Sequence, residues 1–211
     1  MKVFLFVLCS FMAFKMVSSQ TIKLPSKISP TTDKSVNIKI DGFYGILFGT
    51  SKISSKDIMK KKGWVIDEES TDYILFKKNR YLGRDAILIL KFVNNSLYEG
   101  VAIFVPDLEA KILDLYNDVK NDVSLKYGLA KSYELYDYPY EKGDGHYLTA
   151  IEVGKAKFSS YWHEQINGLD TEGNIISLKI TSNMSVVLVF QDDKRINDVI
   201  LKQNEKKIED L

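Results

Sequence analysis

The sequence predicts an α+β fold, an antiparallel sheet with helices packed on one face. Short apolar segments separated by turns recur at strand-like spacing, and a long segment carries a helical apolar stripe. One helix followed by four strands also occurs twice along the chain, so the residues arrange either as two tandem α-β-β-β-β units or as one continuous sheet.

The chain opens with Met1-Lys2, an apolar run over 3–14, and Val17-Ser18-Ser19. This pattern predicts a secretory signal peptide over residues 1–19, cut before Gln20. About twelve apolar residues are too few for a membrane-spanning helix, which takes roughly twenty. Leu8 stands before Cys9 where a lipid-anchor signal wants a small residue, so no lipoprotein is expected and no transmembrane segment remains after cleavage. The predicted location is exported, periplasmic or secreted.

Cleavage removes the chain's only cysteine and two of its lysines, leaving 27 basic and 28 acidic side chains. A formal charge near minus one gives no electrostatic footprint for nucleic acid. With no disulfide framework, the exported body of about 190 residues must be held by its core alone. Lysine outnumbers arginine 26 to 3, the bias of an AT-rich genome, which points to a bacterial envelope protein.

Residues 20–35 are polar, carry Pro25 and Pro30, and read as a flexible leader. A first α+β unit spans 36–105. Val36, Ile38 and Ile40 alternate with polar residues as a strand would. Ser54-Ser55-Lys56-Asp57 reads as a capped helix start, with Gly63 as the stop. Strands are expected over 64–66, 73–76, 87–93 and 98–105. The last two are almost unbroken in apolar residues on either side of the Asn94-Asn95-Ser96 turn, which places them at the sheet centre.

A second unit spans 106–191. Pro106-Asp107 opens a helix in which Leu108, Ile112, Leu115, Tyr116, Val119 and Val123 form one stripe, ending at Gly128. Strands are expected over 130–136, 147–153 running into 155–162, 174–181 and 185–191, with 170–174 as a turn. A C-terminal helix over 192–211 has Ile196, Val199, Ile200 and Ile208 on a loose stripe. The segments 89–95 and 177–183 share Leu-Lys, an apolar residue and Asn at the turn, which is the internal match behind the tandem reading.

The segment 136–147 is the least ordinary stretch, with Tyr136, Tyr138, Tyr140 and Tyr147 among prolines, glycines and acids. Tyrosines there can anchor a protein interface or stack on a sugar, with Trp162 as a further stacking residue. A long hairpin connection whose rings fold back on the sheet edge accounts for the same residues.

Chemistry-bearing motifs are sparse. Gly143-Asp144-Gly145 lacks the remaining glycines and the lysine of a phosphate loop. His146 and His163 are the only histidines and neither stands in a zinc-binding spacing, so no metal and no cofactor is expected. No nucleophile elbow occurs. Glu152, Glu164, Asp170 and Glu172 are the scattered carboxylates a hydrolase would have to assemble.

The Phe48-Gly49-Thr50-Ser51 turn into a short helix ending at Gly63 resembles the start of SmpA/OmlA-type outer-membrane assembly modules. The tandem helix-plus-four-strand order is similar to the beta-lactamase-inhibitor-protein fold. Both resemblances imply a non-enzymatic protein-binding module. The leading expectation is therefore an exported interaction module whose sheet face or 136–147 loop binds another envelope or extracellular protein. A second is a glycan or lipid binder with Tyr138, Tyr140 and Trp162 lining a groove between helix and sheet, and a third is a small secreted hydrolase.

Overall fold

The computed structural model describes residues 37–209. The expected signal peptide, the leader and Val36 lie outside the described residues, as do the last two residues of the expected C-terminal helix. The architecture is α+β. A small hairpin of β1 (Gly42–Phe43) and β2 (Ile46–Leu47) precedes helix α1 (Lys52–Lys61) and four strands, β3 (Ile66–Glu69), β4 (Tyr73–Tyr81), β5 (Arg84–Val93) and β6 (Ser96–Phe104). A short 3-10 turn leads into α2 (Ile112–Tyr127), then β7 (Lys131–Tyr136), α3 (Tyr147–Glu152), β8 (Ala156–Ile166), β9 (Leu169–Ile180), β10 (Val186–Gln191) and α4 (Asp193–Glu209).

The eight long strands form one antiparallel sheet in the order β3-β4-β5-β6-β10-β9-β8-β7. Each half is a four-stranded meander, and the halves meet at the β6–β10 seam, where Phe104 opposes Val186 and Gly100 opposes Phe190. The tandem order and the single sheet are thus two views of one arrangement. The internal match also holds in space: Leu90 and Leu178 lie on one face of the sheet, Lys91 and Lys179 on the other.

Tight hairpins fix the registers. Asn94 and Asn95 have φ of 49° and 59°, Leu82-Gly83 has 49° and 70°, and Asn167-Gly168 has 53° and 77°. Positive φ at both central residues is the turn geometry whose twist matches the flanking strands, and Asn and Gly bear it at least cost.

One face carries the core. Phe76, Leu88, Ala102, Leu188, Leu178 and Ser160 form one cross-strand row, and Ile74, Leu90, Gly100, Phe190, Ile176 and Trp162 form the next. All are buried. Helix α2 lies on this face. Its Tyr116 hydroxyl is 2.6 Å from Ser160 Oγ, its Tyr127 ring meets Phe190, and Asp118 and Asp122 pair with Arg84. Trp64, just past α1, packs edge-on against Phe76, and α3 buries Ala150 and Ile151 beside β8.

The β1–β2 hairpin is the keystone of that face. Phe43 is fully buried with its ring over Gly100, in the space a side chain at position 100 would occupy. The ring lies 5.4 Å from Phe190 and 5.6 Å from Tyr81, so a residue before the first helix ties together both halves of the sheet.

Several expected elements fall elsewhere. Of the strand expected around Val36, Ile38 and Ile40, the described residues make a single bridge from Ile38 to Gln165, with Ile40 buried as a core plug. Helix α1 starts at the Ser51 cap, whose Oγ accepts from Ser54 N–H, three residues before the expected start. The expected strand 64–66 moves on to Ile66–Glu69 because Trp64 turns into the core after Gly63. In α2 the stripe begins at Ile112, and Leu108 is left exposed ahead of the 3-10 turn. Of the expected strand 147–153, residues 147–152 form helix α3, with Gly154 at φ 72° just past its end. Residues 170–174 belong to β9, since the turn is the Asn167-Gly168 pair. The C-terminal helix starts at Asp193 because Asp192 caps it, accepting from Lys194 N–H at 3.0 Å, and Ile208 is a position whose side chain lies outside the described set.

Gly100→Ala is expected to destabilise the protein by about 3 kcal/mol through overpacking, and Phe43→Ala by about 3–5 kcal/mol through cavity formation. The double variant is expected to lose clearly less than the sum, since deleting the ring frees the space the new methyl needs. Urea unfolding of the three variants checks this, and strict additivity would separate the two sites.

Candidate binding face

The sheet face opposite α1, α2 and α3 is built from the alternate residues of the same strands. On it Ile87, Ile103 and Val187 form one cross-strand row, and Ile89, Val101 and Val189 the next. Val101 is buried among its neighbours and the other five are half-buried. Six aliphatic side chains from three adjacent strands therefore meet in a continuous patch astride the β6–β10 seam.

The third row is polar. Lys91 Nζ lies 2.7 Å from Glu99 Oε1, and Gln191 Nε2 donates to Glu99 Oε2 at 3.1 Å. Glu99 is only 8% exposed, so its carboxylate is held between two partners at the edge of the aliphatic patch. Toward β7 the patch gives way to hydroxyls and rings: Ser177 and Tyr161 continue one row, and Tyr133 meets Tyr161 with ring centroids 6.0 Å apart. Helix α4 lies against β9 and β5, with Ile200 and Leu201 exposed.

Beyond the patch, a cleft of about 370 Å³ is lined by His163, Thr171, Glu172, Gly173, Ile175 and Asp193. Its neighbouring carboxylates have structural duties. Glu164 Oε1 accepts from Ile40 N–H at 3.0 Å, and Asp170 is paired with Lys131 and accepts from Gln165 Nε2 at 3.0 Å. The Lys131 contact, with Gln165, holds the Asp170 carboxyl below its ordinary value. Among the described residues no three His, Cys, Asp or Glu side chains gather as a metal site, and no helix is long and apolar enough to cross a membrane.

Comparison with family models, with curated proteins and with solved structures finds no match.

The residues singled out from the sequence separate into two groups. Trp162 is a core residue, 2% exposed, with its indole N–H donating to Gly128 O at 3.0 Å, so it presents no ring to a ligand. Tyr136, Tyr140 and Tyr147 are partly buried against the core. The Tyr136 hydroxyl is pushed up to about 12 by burial and by the adjacent Glu134, and Tyr147 donates to Ala110 O at 3.2 Å. Tyr138 alone stands clear, 90% exposed. Asp144 closes the loop on itself by accepting from the backbone N–H of Glu141 and His146, which hold its carboxyl below the usual range. The structure therefore brings Tyr136 and Tyr140 onto the core and leaves Tyr138 apart from them and from Trp162.

The sequence carries a signal for the aliphatic rows as a surface, beyond the periodicity that marks the strands. Ile87, Leu88, Ile89 and Leu90 are apolar at four consecutive positions, so both faces of β5 are apolar.

Trp162→Phe is expected to cost about 1–2 kcal/mol, since it leaves the Gly128 carbonyl without its donor, whereas Tyr138→Ala should stay within about 0.5 kcal/mol of the parent. Thermal and urea unfolding distinguish them, and a neutral Trp162→Phe would argue against its core role.

Proposed function

We propose that the protein is an exported, non-enzymatic interaction module of the cell envelope, which presents the sheet face opposite α1–α3 to another envelope protein. The observation that carries this reading is the pair of aliphatic rows, Ile87-Ile103-Val187 and Ile89-Val101-Val189, half-buried apart from the buried Val101 and bordered by the paired charges of Lys91 and Glu99. A contiguous apolar patch rimmed by polar groups is the composition of a protein-binding surface. The charges at its rim are already paired within the chain, so a partner covering the patch need not supply counter-charges to avoid a desolvation penalty. The resemblance of the Phe48-Gly49-Thr50-Ser51 turn and its short helix to SmpA/OmlA-type modules, and of the tandem helix-plus-four-strand order to the beta-lactamase-inhibitor-protein fold, points the same way.

A small-ligand reading has one specific support, the cleft beside His163 and Glu172. That cleft carries neither the tyrosines nor the tryptophan expected to stack on a sugar, which favours the protein-binding reading over it. For a hydrolase, the diversion of Glu164 and Asp170 into structural contacts leaves few free carboxylates among the candidates.

A photo-reactive residue introduced at Ile89 or Val187 is expected to cross-link a discrete envelope protein in the native host, and one at exposed Lys60, on α1, is not. Ile89→Asp is expected to abolish capture by a Val187 probe with little change in the melting temperature. Absence of any cross-link from either face position would overturn the reading.

A further inference from the structure

The two edges of the sheet differ in a way that assigns a use to one of them. Strand β3 has four residues, three of them acidic, and its pairing with β4 shifts register between Ile66 and Glu68. Its Glu69 is tied to Lys52 and Lys56 of α1, the latter at 2.8 Å. Shortness, charge, a bulge and a covering helix are the devices by which proteins keep an edge from pairing with another chain.

Strand β7 is longer and has no bulge, and its two charges, Lys131 and Glu134, are already paired within the chain, to Asp170 and to Lys142. It pairs with β8 in unbroken register from Lys131 opposite Tyr161 to Tyr136 opposite Ala156. Tyr133 is 52% and Leu135 56% exposed. The phase of its ladder follows from the next residue, because Asp137 N–H donates to Lys155 O at 2.7 Å. In an antiparallel ladder, bonding alternates residue by residue. Positions 131, 133 and 135 therefore bond toward β8, while the backbone N–H and C=O of Ser132, Glu134 and Tyr136 are directed away from the sheet.

We propose that this edge pairs with the β7 edge of a second copy of the chain, antiparallel and with Tyr133 opposite Tyr133. The sequence of the strand selects that occupant and that register. A two-fold axis perpendicular to the sheet keeps each side chain opposite one on the same face, so the centre must fall on a residue. Centring on Glu134 would set two carboxylates directly opposite each other, which is destabilising. Centring on Tyr133 sets Ser132 opposite Glu134, so both pairs of outward backbone groups exchange hydrogen bonds. It also sets Lys131 opposite Leu135. The Tyr133–Tyr161 ring pair then extends across the junction into a row of four tyrosines, two from each copy. Glu134 enters this contact already neutralised, with Lys142 Nζ 2.6 Å from its carboxylate. The inference goes beyond the proposed function and does not rest on it. Its consequence is a sheet of twice the width with both aliphatic faces on one side.

Cys9 is the chain's only cysteine, which makes a register-specific test direct. In a Cys9→Ser background, Tyr133→Cys is expected to form a disulfide-linked dimer under mild oxidation, because a non-hydrogen-bonded pair brings the two Cα atoms to about 4.5 Å. Leu135→Cys should give at least ten-fold less, its copies standing about 13 Å apart along the strands. Sedimentation of the parent protein should show a concentration-dependent monomer–dimer equilibrium. Glu134→Pro should weaken this equilibrium at least ten-fold while keeping the thermal transition, since that N–H takes no part in the β8 ladder. If Glu134→Pro fails to fold, Tyr133→Lys provides the same comparison. Equal cross-linking at 133 and 135, no cross-linking at 133, or a monomer at every concentration up to several hundred micromolar would each overturn the proposal. In the last case an extended segment of a different protein becomes the candidate for this edge.

Discussion

The fold depends on a ring placed against a glycine. Phe43 occupies the space that a side chain on Gly100 would need, and it does so on β6, one of the two strands that form the seam between the halves of the sheet. The absence of a Cβ on a central strand is ordinarily a weakness. Here it is the socket that lets a hairpin ahead of the first helix reach the middle of the sheet. Tyr81 from β4 and Phe190 from β10 close around the same ring, so β1, β4, β6 and β10 converge on a single contact. Helix α2 then seals the adjoining half through Tyr127 against Phe190 and Tyr116 against Ser160.

This one-sided filling explains the character of the other face. The central strands need apolar residues on the covered face to hold the helices, and an alternating strand would place polar residues opposite. Strands β5, β6 and β10 are apolar on both sides instead, so the aliphatic rows are not a by-product of the core. They lie where the two halves join, which makes the candidate binding face a property of the whole sheet and of neither meander alone. The polar row of Lys91, Glu99 and Gln191 bounds it without breaking the strand pairing. A second copy added at β7 would extend this face sideways, leaving the seam as it is.

Much of the fold was legible in local chemistry. The Asn94-Asn95 hairpin, the Ile112-Tyr116-Val119-Val123 stripe and the helix stops at Gly63 and Gly128 are each set by nearest neighbours, and each lies where the sequence implies. The misreadings come from longer-range competition. Ile38 and Ile40 alternate like a strand, but they are drawn to Gln165, Glu164 and Asn174, more than a hundred residues away, and become a plug. Residues 147–152 carry apolar side chains that suit either periodicity, and contact with β8 makes them helical. The tyrosine-rich loop has the composition of a binding loop, yet most of its rings serve the core, and Trp162 belongs to the core outright. Composition marks what a residue can touch. It does not reveal which face of a sheet the chain will turn it toward.

The two meanders form one cooperative body held across the β6–β10 seam. Native-state hydrogen exchange across a denaturant series tests it most directly. It predicts that amides of β5, β6, β9 and β10 exchange through one shared global opening, with the same free energy and denaturant dependence on both sides of the seam. Two separate isotherms, with β3–β6 opening independently of β8–β10, would contradict it.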